Sequence, residues 1–207
     1  MSLTPAGERV WGAAREIFYQ EGVRSTGVAE IAERSGVGKP SIYRAFGSKD
    51  ELAVAYLRER GISPREVIEA VRAAYPDDPR AQLRRVVAGI AETIAAPGHR
   101  GCPLANVVVE FPDRTHPVRV AAQEQKRHYL ELFTELVLPL PVADPGQVAY
   151  LIQMLVDGAH ITSQIFDPAR SATGLTTAVD RLLDTFLSAD EQPSTPTGPD
   201  TPPAARP

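Results

Sequence analysis

The sequence predicts an all-α protein: a small N-terminal three-helix unit carrying a helix-turn-helix, set on a larger helical body. Three observations predict it. Apolar residues recur at three- and four-residue spacing along most of the chain, the signature of amphipathic helices. Helix-start chemistry recurs too, with Thr4-Pro5, Ser63-Pro64, Asp78-Pro79 and Asp144-Pro145 each placing a capping side chain before a proline. Finally, Val28 to Leu52, VAEIAERSGVGKPSIYRAFGSKDEL, reads as two short helices joined by a glycine-bearing turn, followed by a serine-capped third. Val107-Val108-Val109 favours strand locally, but nothing else in the chain supplies partner strands, so a buried helix is expected there.

In order, the first helix is expected over 4–21, with Val10, Ala14, Ile17 and Phe18 on one stripe and Gly22 ending it. Thr26 or Ser25 is expected to cap a second helix at about 27–34, with Val28, Ile31 and Ala32 inward. Ser35-Gly36-Val37-Gly38 turns the chain. Pro40 is tolerated only in a first turn, so the next helix begins at about Lys39 and ends near Ala45. Ser48 and Glu51 have the spacing of a reciprocal capping box, opening a helix to about Arg60. Helices follow at about 64–75, 78–95, 103–111, 117–137, 144–166 and 175–188. In the 144–166 helix, Val148, Leu151, Ile152, Leu155, Val156 and Ala159 form one apolar stripe, and Tyr150, Met154, Ile161 and Ile165 make the other side apolar as well. Such a helix is covered on both sides, the second cover being a further copy of the chain. Residues 189–207 are proline-rich and lack aromatic and aliphatic anchors, the composition of a disordered tail. The division expected is 4–60, with the helix-turn-helix at 27–46; 61–188; and the 189–207 tail.

A chain of 207 residues with 43% hydrophobic and 23% charged residues is an ordinary globule. Its net charge of −4 does not advertise nucleic-acid binding, so any such contact needs a local basic patch. Lys39, Arg44 and Lys49 supply one, with no acid between Gly36 and Lys49. The single cysteine, Cys102, rules out an intrachain disulfide and suits a reducing cytoplasmic setting. No apolar run resembles a signal peptide or approaches the roughly 20 residues that span a bilayer.

Gly36-Val-Gly38-Lys39-Pro-Ser41 imitates the end of a phosphate-binding loop. That motif requires glycine where Glu33 stands, Ser or Thr where Pro40 stands, and a preceding strand. Phe18, Gly22, Thr26, Val28, Ile31-Ala32, Gly36-Val37, Ile42-Tyr43, Phe46, Ser48-Lys49 and Leu52 instead stand in the order and spacing of the N-terminal region of TetR-family transcriptional regulators, and the segment from Val10 to Leu52 resembles that family. The resemblance implies that Lys39, Pro40 and Ser41 open a recognition helix lying in the major groove. It implies that Thr26, Tyr43 and Lys49 contact backbone phosphates. Gly27 departs from the pattern, since many members carry Ser or Thr there. Independently, Lys49 is a cation in a first helical turn, mildly unfavourable unless an anion sits nearby. Arg44 has solvent, phosphate or Glu21 open to it.

Beyond Leu52 the resemblance weakens. It implies a helical domain that encloses a small-molecule effector pocket and dimerises through the last two long helices, here about 145–187. The Arg100 to Pro117 segment is similar to one subgroup of the family. Candidate pocket residues, polar or adaptable groups on otherwise apolar helices, are Cys102, Asn106, His128, Tyr129, Phe133, Met154, His160 and Gln164. His99, Cys102 and His116 match no compact zinc spacing, and no metal or cofactor is expected. No HExxH, GxSxG, CxxC or dinucleotide signature argues for an enzyme. The function expected is a homodimeric, ligand-responsive repressor on a near-palindromic operator in double-stranded DNA. The alternatives are a helical small-molecule-binding or adaptor protein without DNA binding and, last, an enzyme.

Overall fold

The computed structural model describes residues 3–189, so the expectation for the tail falls, apart from Ala189, outside the described residues. Ten α-helices account for it: α1 (Pro5–Glu21), α2 (Val28–Ser35), α3 (Lys39–Phe46), α4 (Lys49–Arg60), α5 (Pro64–Ala74), α6 (Pro79–Ala95), α7 (Pro103–Glu110), α8 (Pro117–Val137), α9 (Pro145–Ile165) and α10 (Pro168–Ala189). Local chemistry sets most starts. Thr4 accepts from the Gly7 N–H at 3.2 Å, Ser48 from Glu51 at 3.0 Å, Asp78 from Ala81 at 2.8 Å and Asp144 from Gln147 at 2.9 Å. Each satisfies an amide that the helix itself leaves unpaired.

Three local expectations need correcting, and the helix expected at Val107 to Val109 holds. Gly27 caps α2, with no side-chain bond, because the Thr26 and Ser25 hydroxyls turn back to carbonyls at the end of α1. The Ser48 box is made on one side only, since the Ser48 N–H donates to the Phe46 carbonyl at 2.8 Å. α10 begins at Pro168, because Asp167 accepts from the Ala169 N–H at 3.0 Å and Pro168 suits a first turn. Val107 to Val109 is helical, with Val107 buried.

Two cores organise the molecule. One gathers Val10, Ile17, Phe18, Ile31, Ile42, Leu52 and Tyr56 from α1–α4 with Leu104, Val107, Val118 and Ala122 from α7 and the start of α8. The other gathers Leu83, Val87 and Ile94 of α6, Leu132, Phe133 and Leu136 of α8, Ile152 and Val156 of α9, and Leu175, Val179 and Leu183 of α10. α8 therefore belongs to both, its first half packed on the N-terminal core and its second in the larger one. Where it crosses the α4–α5 junction, the backbone comes so close that a Cβ on Gly61 would overlap the buried Gln125 side chain.

Candidate nucleic-acid interface and the cavity behind it

α2 ends at Gly36, whose φ of 63° and ψ of 26° place it in the left-handed region that glycine occupies without a Cβ penalty. The chain then reverses, and Gly38 starts α3, accepting from the Ser41 N–H at 2.9 Å. Ile42 is buried against the N-terminal core and fixes which way α3 faces. Lys39, Pro40, Tyr43 and Arg44 consequently point outward, with Tyr43 48% exposed and Ser41 half-buried. Among the described residues, none of the Lys39, Ser41, Tyr43 or Arg44 side chains makes a hydrogen bond or ion pair, and α3 carries no acid in its first turn. Glu21, one partner open to Arg44, pairs instead with Arg34. The result is a short helix whose outer face holds two cations, a phenol and a hydroxyl with their donors unused. Such a face can donate to phosphate oxygens and to base edges.

Thr26 and Lys49 stand apart from this face. Thr26 is 1% exposed, and its hydroxyl donates to the Gly22 carbonyl at 2.6 Å. The Lys49 ammonium reaches the carbonyls of Val23, Arg24 and Thr26 at 2.9, 3.4 and 2.8 Å. All three of its donors are thus used inside the protein, and those carbonyls supply the negative partner that a cation in the first turn of α4 needs. Both residues tie the α1–α2 turn to α4, so in this structure neither hydroxyl nor ammonium is free for a phosphate. The same turn is held from the far side. The Arg24 N–H donates to the Glu110 carboxylate and its guanidinium to the Glu110 carbonyl, both at 2.8 Å. Nothing in the local sequence marks these long-range ties.

Behind α1 and α4 lies a cavity of about 190 Å³ whose walls come from both cores: Tyr19 of α1, Arg60 of α4, Ile90 and Thr93 of α6, the 99–104 segment, Lys126 and Tyr129 of α8, and Val156 and His160 of α9. Of the candidate pocket residues, Cys102, Tyr129 and His160 meet here. Asn106 and Gln164 brace the cavity's rim, donating to the carbonyls of Arg100 at 3.0 Å and His99 at 3.3 Å. His128 lies elsewhere on α8, its ring nitrogen 3.3 Å from Gln125. Phe133 is fully buried in the larger core, and Met154 lies on the outer face of α9. Helical spacing alone does not separate a cavity wall from a packed interior or an outer face.

Sequence reasoning passed over Tyr19, Arg60 and Lys126, and weighed His99 only as a metal ligand. His99 Nε2 lies 3.2 Å from His160 Nδ1 with the rings stacked, and Tyr19 Oη lies 3.4 Å from His99 Nδ1. The Arg100 N–H donates to the same Tyr19 oxygen at 2.8 Å. Burial pushes His160 down to about 4, with His99 and Lys126 adding to the shift, and burial also lowers His99. Both rings are therefore neutral hydrogen-bonding groups at neutral pH. Burial works against the charge of Lys126, but Cys102 and Asp157 beside it outweigh burial and hold its pKa above the ordinary lysine value. Lys126 forms an ion pair with Asp157, which also accepts from Gln153 at 3.0 Å. Burial pushes Tyr129 up to about 12, so its phenol stays protonated. Among the described residues no group of three or more His, Cys, Asp or Glu side chains is placed to hold a metal.

Comparison with known proteins adds to this geometry. The family model for bacterial regulatory proteins of the tetR family matches residues 12–56, and the tetracyclin repressor-like C-terminal domain model matches 79–179. A solved TetR-family transcriptional regulator from Streptomyces coelicolor is 32% identical with a TM-score of 0.82, covering 89% of this chain and 91% of its own. The HTH-type transcriptional activator FasR of Mycolicibacterium smegmatis is 33% identical over 150 residues, 70% of this chain and 63% of the relative, so this chain spans less than two thirds of that protein's length. The HTH-type transcriptional repressor BdcR of Escherichia coli is 41% identical over 54 residues, 26% of this chain and 27% of the relative.

Proposed function

Because this chain belongs to the TetR family and is a DNA-binding transcriptional regulator, we propose that it acts as a ligand-released repressor, a homodimer on a near-palindromic operator in the cytoplasm. In this reading residues 4–60 read DNA and 61–188 sense ligand and dimerise. Lys39, Pro40 and Ser41 enter the major groove, while Tyr43 and Arg44 reach phosphates. The observation that carries the assignment is the outer face of α3, whose donors have no partner within the described residues. Thr26 and Lys49 hold the α1–α2 turn in place and contribute to phosphate contact through the backbone they position. Repression is favoured by likeness to BdcR, which is named a repressor; FasR is named an activator, so a reporter driven from the operator reads the sign directly.

Dimerisation is supported by α9. Tyr150, Met154, Ile161 and Ile165 are each more than half exposed and share one face, a stripe roughly 22 Å long at 1.5 Å per residue. An apolar face of that length marks a protein–protein interface, and a two-fold pairing places it against its own copy. The groove between α9 and α10, lined by Met154, Gly158, Thr162, Phe166 and Gly174, gives such a partner somewhere to insert. Two copies hold two α3 helices for successive major grooves, roughly 34 Å apart. No helix among the described residues is long and apolar enough to cross a membrane. The test is selection of DNA from the source genome by the purified protein, followed by sizing with and without Ile161→Glu. A monomeric variant with weakened operator binding is expected; a wild-type monomer that binds the operator at full affinity would sink the homodimer.

A further inference from the structure

We propose that the effector is an amphipathic organic anion, a carboxylate with an apolar body, whose head group is received by Arg60 in the cavity between the two cores. This rests on the ligand-responsive reading and names the ligand chemistry. Charge compensation around the cavity singles out Arg60. No Asp or Glu lines the cavity. The Lys126 charge is answered by Asp157, and the two histidines are held neutral by burial. Arg60 has no carboxylate within ion-pairing distance among the described residues, and its buried Nε has no hydrogen-bond partner. Its guanidinium carbon sits 5.3 Å from the ring centres of both Tyr19 and Tyr56. Those aromatic faces and the carbonyl end of α4 make a lone cation tolerable there without neutralising it. A planar guanidinium fork on the cavity wall matches the two oxygens of a carboxylate.

The apolar half has a place as well. Ile90, Thr93 and Tyr129 line the small cavity and also a groove of about 520 Å³ between α5 and α6. The groove walls include Val67, Val71 and Leu132. A head group at Arg60 therefore leaves its body running past Tyr129 into an apolar channel. Arg60 is the last residue of α4, and Lys49, the first, holds the turn that precedes α2. An anion on Arg60 thus pulls on the helix that anchors the DNA-reading unit, which gives the ligand a differential contact with two arrangements of the molecule.

The full chain is titrated calorimetrically with octanoate, octan-1-ol and octyltrimethylammonium, and release of labelled operator is followed by anisotropy. Octanoate is expected to bind at least about tenfold more tightly than the alcohol, as a charge-assisted pair implies, and the cation not at all. Arg60→Gln should abolish the preference for octanoate over the alcohol, and Arg60→Lys should restore part of it, with far-UV dichroism verifying the fold. Should Arg60→Gln misfold, the preference among the three compounds is still read on the unaltered protein and on Arg60→Lys. Equal affinity for octanoate and octan-1-ol, no binding by any compound, or a carboxylate preference that survives in folded Arg60→Gln overturns the proposal. Selective octanoate binding without operator release supports the head-group site while refuting ligand-released repression, so the two readings fail separately.

Discussion

The outer face of α3 and the cavity behind α4 are both rich in polar groups, yet they treat them oppositely. On α3 the Lys39, Ser41, Tyr43 and Arg44 side chains have no partner among the described residues. In the cavity His99, His160, Tyr19 and Lys126 are tied to one another or to neighbours, and Arg60 is the cation left without an acid. Partnered polar groups hold a structure together, because breaking one leaves another buried and unsatisfied. Unpartnered donors on a surface cost little and remain available to an outside ligand. The difference separates residues whose loss will damage the fold from residues whose loss will damage recognition. Lys49 shows why the distinction matters, since its position in the sequence suggests the second group and its three carbonyl contacts place it in the first.

Mutations can break this contrast, starting with the largest effect. Phe133→Ala removes a fully buried ring from the larger core and should cost about 3–5 kcal/mol in denaturant unfolding. A loss under about 1 kcal/mol would mean that the ring borders open space, as a cavity residue would. Lys49→Met should destabilise the protein by roughly 2 kcal/mol, because it strips charged donors from partly buried carbonyls. Unchanged stability together with a lower salt slope of operator binding would return Lys49 to the DNA-contacting set.

The cavity also predicts a pH response. His160 is lowered to about 4 in the folded state, against an ordinary value of 6.5. The unfolded chain therefore binds the extra proton first, and stability falls as pH drops from about 6.5 towards 4. His99 contributes in the same direction; Lys126 also lowers His160, and Asp157, one turn before it on α9, partly opposes the shift. The loss attributable to His160 should be about 1–2 kcal/mol once partial solvent screening is allowed for, and His160→Gln should flatten the curve in that window. A wild-type curve that is flat between pH 6.5 and 5 contradicts the neutral pair. Smallest in stability is Lys39→Ala, within about 0.5 kcal/mol of wild type, although it should weaken operator binding about tenfold. A stability loss above about 1 kcal/mol would show that Lys39 has a partner within the fold.

Much of the fold was legible because its signals are local. Thr4, Ser48, Asp78 and Asp144 announce helix starts through bonds to amides three residues on, and Pro40 confines the start of α3 to one turn. The two-sided apolar pattern of α9 correctly foretold an outer stripe of Tyr150, Met154, Ile161 and Ile165. The α10 start was placed a little under two turns late, because apolar periodicity begins at Leu175 while the Asp167 cap and Pro168 lie upstream of it. Cavity residues were half legible. Cys102, Tyr129 and His160 reach it, while Phe133 and Met154 occupy positions with equally apolar helical spacing. Tyr19 and Arg60 were missed because α1 and α4 read as parts of the DNA-binding unit, and nothing in their spacing records that their ends face α6, α8 and α9.

The sequence alone determined that the protein is all-α, where most of its helices begin, and that Lys39 to Arg44 carries a short basic helix after a glycine turn. These follow from backbone and side-chain chemistry acting over three or four residues. Only the tertiary structure decided which polar groups are free. Lys39 and Lys49 are both lysines in a first helical turn. One faces solvent and the other is enclosed by the carbonyls of residues 23–26, because helix packing brings together parts of the chain more than twenty residues apart.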